Sequence, residues 1–206
     1  MSEEPYLFRL KEGTAVNGTL YNLSGDYTYL TAGYYRCLDC ELAGAKVKPT
    51  TEEVLDAYIV PLALHKAEQK GLKTLPHEIV NGDFSPPVLA YPLNPFTSKW
   101  ALIENENEVK AKTNSLTMGG KYAMLCQFLP HDYVLTEFVC IFGRTADPRF
   151  HWLAGELYAA FQLPLMKVRV VESGGEVFFS AIEPITIKEM VWQDRALLEE
   201  SGKWQE

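Results

Sequence analysis

The sequence predicts an α/β (α+β) fold, with a mixed sheet whose antiparallel hairpins are covered by helices. Short runs with period-two alternation are interspersed with segments whose apolar residues recur every three or four positions. Turn signals at Pro130-His131-Asp132 and Ser173-Gly174-Gly175 separate pairs of strand-like runs, which makes their neighbours antiparallel. Such hairpins exclude an all-parallel sheet. A chain of 206 residues fits one domain over 1–206.

Residues 6–10 and 19–23 read as short strands on either side of a turn at Asn17-Gly18. Thr31 starts a helix that Gly44 stops, with Tyr34, Tyr35, Leu38 and Leu42 falling on one face predicted to pack inward. Thr50 or Thr51, followed by Glu52 and Glu53, caps a second helix running toward Gly71. Pro61 kinks or divides it, because proline removes a backbone donor and clashes with the preceding turn. Residues 72–100 are read as a Pro-rich loop or linker with one strand at 88–91, since five prolines between 76 and 95 forbid regular helix. The pattern Asn105-x-x-Glu108 caps a polar helix that ends near Met118-Gly119-Gly120.

Residues 122–129 and 133–142 are strands, the second with Leu135, Val139 and Ile141 on one face and Thr136, Phe138 and Cys140 on the other. Asp147-Pro148 is an N-cap with proline at the first helical position. The helix it opens carries the stripe Phe150, Leu153, Leu157, Tyr158 and Phe161. Residues 165–172 and 176–182 form a hairpin, and Thr186-x-x-Glu189 caps a last helix to about Glu200.

The formal net charge of −8 repels phosphate backbones and no dense Lys/Arg cluster offsets it, so nucleic acid is not an expected partner. No apolar run approaches the roughly 20 residues of a membrane span. The acidic N-terminus is not that of a secretory signal. These features predict a cytoplasmic protein whose four cysteines are reduced.

Cys37-Leu38-Asp39-Cys40 has the spacing of a redox or metal motif. Cys37, however, sits nearly two turns into its helix rather than at the N-terminus, where the helix dipole would stabilise a thiolate. The helical wheel places Cys40 opposite the predicted core face. Cys126 and Cys140 supply no second paired motif, so the cysteines are read as structural and no metal or cofactor is expected. His65, His77, His131 and His151 show no metal spacing. Gly119-Gly120-Lys121 lacks the leading glycine and trailing hydroxyl of a phosphate loop and is read as a helix C-cap. Lys167 and Arg169 share one face of their strand, and Arg144 follows Gly143 at a strand end. Cations so placed suit a carboxylate or phosphate, the alternative being a solvated strand face.

Two blocks carry a family resemblance. The strings YNLSGDYTYLTAGYY at 21–35 and ELAGAKVKP at 41–49 resemble the first half of the RimK-like ATP-grasp N-terminal domain. FGRTADPRF at 142–150, with Leu157, Tyr158 and Phe161, then PLMKVR at 164–169 and IEPI at 182–185, resembles its second half. In that family the domain usually precedes an ATP-grasp ligase, which activates a carboxylate as an acyl phosphate and joins it to an amine. The domain itself has no catalytic role to carry over. The resemblance therefore implies a non-catalytic accessory module that recognises a substrate or docks onto a separate ATP-grasp carboxylate-amine ligase. The region joining the two blocks gives the ligand-binding candidates Tyr34, Tyr35, Arg36, Glu41 and Arg144, together with Arg169.

A second similarity follows the order of an ATP-grasp catalytic lobe through VLAYP at 88–92, Leu125-Cys126-Gln127, Phe142-Gly143 and residues 177–184. Tyr91 stands where that lobe has a nucleotide-binding lysine, and IEPI lacks its metal-binding asparagine. The alternative reading is a small enzyme or degenerate ATP-grasp-like protein using Cys37/Cys40 or an Arg144/Arg169 anion site.

Overall fold

The computed structural model describes residues 13–16, 18–25, 27–94, 96 and 99–201. The elements are mixed α and β with antiparallel strands, as expected, and among the described residues the strands form three sheets. The chain divides into two compact units, the first made of residues 1–58, 137–169 and 182–206, the second of residues 59–136 and 170–181. The strand expected at 6–10 lies outside the described residues.

In the first unit β1 (Gly13–Val16) pairs antiparallel with β2 (Thr19–Asn22). Gly18 supplies the positive φ that their turn needs. Strand β3 (Lys46–Lys48) then pairs parallel with β2. Between them runs α1 (Ala32–Leu42), whose N-cap Thr31 accepts from the Tyr34 backbone N–H. The buried side of α1 is Gly33, Tyr34, Cys37 and Cys40. This corrects the expected inward face: Tyr35 and Leu42 are 48% and 77% exposed, and Cys40 is buried. The small thiols pack against Val47 and Leu20, and Asn22 Nδ2 donates to Gly33 O and to Cys37 Sγ at 3.3 Å, which locks that side inward.

Helix α2 (Thr51–Tyr58) is opened by Thr50, whose N–H donates to Glu53 Oε2 while Glu53 N donates to Thr50 Oγ1, a reciprocal cap. Tyr58 stacks on fully buried Tyr27 with ring centroids 6.3 Å apart, and Tyr27 Oη donates to Leu165 O. Gly25 has φ +70 and sits so close to Ile185 that a Cβ there would fall 2.1 Å from its carbonyl oxygen. Only glycine fits.

Asp147 Oδ1 accepts from Arg149 N and opens a single 3-10 turn at Pro148–Phe150, from which α5 (His151–Phe161) continues. Phe150, Leu153, Leu157 and Phe161 are buried as the stripe predicts, and Phe150 stacks on Phe138 at 4.6 Å. The Thr186/Glu189 capping box forms, but it closes a 3-10 turn at Ile187–Glu189, and α6 (Trp192–Glu200) begins only after it.

In the second unit α3 (Val60–Gln69) follows α2 after a break at Ile59, with Pro61 in its first turn. The Pro-rich stretch holds two strands, β4 (His77–Val80) and β5 (Val88–Pro92), in a sheet of order β4-β7-β5-β6 with β6 (Ala101–Ile103) and β7 (Met124–Phe128). Pro76, Pro87 and Pro92 stand at strand ends, where no ladder donor is needed. Helix α4 (Glu106–Leu116) covers one face, over a core of Val80, Val88, Ala90, Ile103, Leu116, Met124 and Cys126. Asn105 makes no side-chain cap. Glu108 reaches back to the Glu104 N–H instead. After α4 the residues Met118, Gly119 and Gly120 all have positive φ, and Gly119 N donates to Asn114 O, so the glycine pair is a helix stop.

The third sheet has the order β10-β9-β8, with β8 (Val134–Ile141), β9 (Leu165–Ser173) and β10 (Glu176–Glu183), and these strands contribute residues to both units. Gly174 and Gly175, both at positive φ, turn β9 into β10. Among the described residues no helix is long and apolar enough to cross a membrane.

Candidate functional site

The first unit concentrates charge on adjacent strands. Arg169 of β9 is 2% exposed, and its Nη2 donates to Glu137 Oε1 of β8 at 2.5 Å and to Glu183 Oε1 of β10 at 2.6 Å. Lys167, two residues earlier and so on the same face, reaches Glu137 Oε2 at 2.8 Å and Glu183 Oε2 at 3.6 Å. The four side chains carry two positive and two negative charges. Burial alone would raise the Glu137 carboxyl, but hydrogen bonds from Lys167 and Arg169 outweigh it and hold the group below its ordinary value. The Glu137 hydrogen bond raises Lys167 against the opposing effect of burial. Arg169 is thus shut off from solvent while Lys167 stays partly exposed, and both cations have carboxylate partners within the protein.

Arg144 lies elsewhere in the same unit. Phe142 and Gly143, with φ +48 and +79, make a two-residue turn in which Ile141 and Arg144 exchange both backbone hydrogen bonds. That turn aims Arg144 at α6, where Nη2 meets Glu200 Oε2 at 2.7 Å in an exposed pair.

The candidates on α1 form an aromatic surface. Buried Tyr34 stands edge-on between the exposed rings of Tyr29 and Tyr35, at centroid distances of 5.3 and 5.6 Å. Burial pushes the Tyr34 hydroxyl upward, with Tyr29 and Glu41 adding to it. Leu30, itself exposed and at φ +71, flanks the rings, and Arg36 is half-buried. Glu41 is occupied: its two oxygens accept from Thr51 N at 2.6 Å and Thr51 Oγ1 at 2.7 Å, so it stabilises the start of α2.

The thiols are poor nucleophiles. Burial raises Cys37 to about 11, against the opposing Asn22 hydrogen bond. Burial likewise takes Cys40, Cys126 and Cys140 to about 12. Among the described residues no group of three or more His, Cys, Asp or Glu converges as metal ligands would.

In the second unit, Tyr91 occupies the position at which the catalytic-lobe similarity calls for lysine. Its hydroxyl meets Ser180 Oγ at 2.7 Å, Ser180 Oγ donates to Gln127 Oε1 at 2.7 Å, and Gln127 Nε2 donates to Ser180 O at 2.8 Å. All three residues are buried, and the network supplies no cation. Sequence reading missed this network and the Glu137/Glu183 clamp alike, because both join residues far apart in the chain. The signal within reach was Gln127, the lone polar residue in the apolar strand β7, and Arg169, set between two valines in β9.

Comparison with known structures finds the same fold in ATP-grasp enzymes. A RimK domain ATP-grasp protein from Sphaerobacter thermophilus DSM 20745 superposes with TM-score 0.62 at 15% identity, over 82% of this chain and 74% of that one. D-alanine-D-alanine ligase from Helicobacter pylori gives 0.59 at 15% identity, over 82% and 68%. L-amino acid ligase from Bacillus licheniformis gives 0.52 at 8% identity, over 73% and 45%. At these identities the likeness speaks for the fold alone. Comparison with curated protein sequences returns no match. The family model for the RimK-like ATPgrasp N-terminal domain matches residues 3–201, nearly the whole chain. The chain belongs to the RimK-like ATP-grasp N-terminal domain family.

Proposed function

We propose that this chain is a non-catalytic module that docks onto an ATP-grasp carboxylate-amine ligase, a separate subunit or a further domain, through the outward face of α1. The observation that carries the reading is that face itself. Tyr35 and Leu42 are exposed with Leu38 between them at helical spacing, and exposed Tyr29 and Leu30 extend the patch at the helix start. An exposed apolar and aromatic surface of this kind, carried by neighbouring positions of one helix, is the type of surface that marks an interaction site. The family supplies the class of partner.

The chemistry of the chain supports a non-catalytic role. Phosphoryl transfer relies on positioned cations that meet the phosphates. Here Lys167 and Arg169 are paired with Glu137 and Glu183, and a tyrosine network fills the lysine position. The raised thiols leave the Cys37/Cys40 enzyme reading without a nucleophile at neutral pH.

The test is affinity capture of the tagged chain from its native host, beside a Tyr35→Ser/Leu42→Glu variant. The reading expects an ATP-grasp ligase to co-purify with the unaltered chain and not with the variant. ATP turnover by the purified chain alone, or equal recovery of the ligase by both forms, contradicts it.

A further inference from the structure

The sheet of the second unit ends on β4, and the bonds of β7 fix which groups of β4 face outward. In an antiparallel ladder alternate residues turn their N–H and C=O toward the same neighbour. Phe128 N donates to Pro76 O at 2.9 Å, and Leu129 N donates to Pro87 O at 3.0 Å. Even-numbered residues of β7 therefore face β4, and odd-numbered ones face β5. With Glu78 opposite Cys126 and Val80 opposite Met124, those two residues of β4 are tied into the ladder. His77 and Ile79 turn their backbone groups the other way. β10 reaches the run before β4 at an isolated parallel bridge, where Phe179 N donates to Lys73 O, and among the described residues no strand pairs with the outward groups of His77 and Ile79 themselves.

Exposed edges of this kind are templates for another strand, which proteins often block with lysine or proline within the strand. β4 reads His-Glu-Ile-Val, short and with one charge, Glu78, on a residue whose backbone is tied to β7; it has neither lysine nor proline, and Ile79 is 55% exposed. Directly after Val80 the chain enters one wall of a groove of about 830 Å³ at Asn81, Gly82 and Asp83. The opposite wall is the exposed side of α4, where Asn107, Lys110 and Asn114 stand at helical spacing. Lys110 and Asp83 balance in charge, and the asparagine carboxamides both donate and accept. This lining matches the amide groups of a polypeptide backbone better than a phosphate or a cation.

We propose that the outer edge of β4 and this groove form one continuous track for an extended polypeptide segment. The segment adds a strand beside His77 and Ile79, then runs on between Asn81 and Asn114. Main-chain bonds to the edge supply affinity, and the carboxamides of the groove hold the stretch beyond it. The proposal is independent of the α1 docking face, and the two are tested by different readouts.

The probe is a phage-displayed library of random dodecapeptides selected on the full chain, with the recovered peptide resynthesised and its binding followed by calorimetry and hydrogen exchange. Exchange at the His77 and Ile79 amides slows on binding, whereas Glu78 and Val80 are protected with or without peptide. Ile79→Pro removes one outward donor at an edge position that tolerates proline, and weakens binding about tenfold or more. Ile79→Val keeps the donor and binds as the unaltered chain does. Asn114→Ala, on an exposed helix face, also weakens binding and decides the matter should Ile79→Pro fail to fold. The proposal is overturned if the library yields no binder, if Ile79→Pro and Asn114→Ala bind the peptide undiminished, or if protection appears away from β4.

Discussion

Arg169 and Glu183, on neighbouring strands β9 and β10, meet at 2.6 Å although the arginine is 2% exposed. Glu137 holds the same guanidinium nitrogen from the other side. Removing the cation alone leaves two carboxylates facing each other with only Lys167 between them. Arg169→Met is expected to lower unfolding free energy by about 2–4 kcal/mol, somewhat below the usual cost of breaking a buried pair because both carboxylates keep some solvent contact. The triple variant Arg169→Met/Glu137→Gln/Glu183→Gln recovers part of that loss. Urea unfolding of the three proteins checks both statements, and equal stability of the triple and single variants contradicts the second.

The same cluster sets a pH dependence. The folded Glu137 value lies below its ordinary 4.5, so its contribution is present above that pH and is lost as pH falls through the lower folded value. Lys167 is shifted the other way, so its contribution holds below 10.5 and is lost as pH rises through its higher folded value. Melting temperature followed from pH 3 to pH 11 should decline at both ends, and Glu137→Gln should flatten both declines. A profile unchanged by Glu137→Gln removes the cluster from the explanation.

Gly25→Ala tests the close approach of the 25 and 185 backbones. A Cβ would sit 2.1 Å from the Ile185 carbonyl oxygen at a φ of +70, so both steric overlap and backbone strain oppose it. The expected loss is about 3 kcal/mol or more, read from chemical unfolding. A loss under about 1 kcal/mol means that the two segments separate at little cost.

How much of this was legible beforehand varies by element. Pro61 was enough to predict a kink or a break where α2 gives way to α3, and Ser173-Gly174-Gly175 to predict the β9–β10 hairpin, because each acts through local backbone chemistry. The orientation of α1 was misread. Tyr35, Leu38 and Leu42 are larger and more apolar than Gly33, Cys37 and Cys40, yet the small residues face inward because Asn22, fifteen positions away from Cys37, bonds to that side. Strand β4 escaped notice since His77 and Glu78 break the apolar alternation between flanking prolines. Lys167 and Arg169 were visible as one face, but their carboxylate partners depend on strand neighbours that a single sequence does not specify.

The thiol values make a direct chemical prediction. With Cys37 at about 11 and the other three at about 12, the thiolate fraction at pH 8 is very small. Alkylation of the native protein should be about a hundredfold or more slower than that of a free thiol, and all four cysteines should react on denaturation. Rapid native modification at Cys37 or Cys40 contradicts the structural reading of that pair.

The central claim is that the outward face of α1 meets an ATP-grasp ligase, and a photo-crosslinking amino acid placed at Leu42 tests it at the surface itself. Leu42 is 77% exposed, so the substitution leaves the fold intact. On irradiation in the native host, the account predicts an adduct whose partner peptides map to an ATP-grasp carboxylate-amine ligase, and no such adduct from the same group placed at exposed Val134 in the second unit. Absence of ligase peptides at position 42, or equal adducts at 42 and 134, contradicts the account.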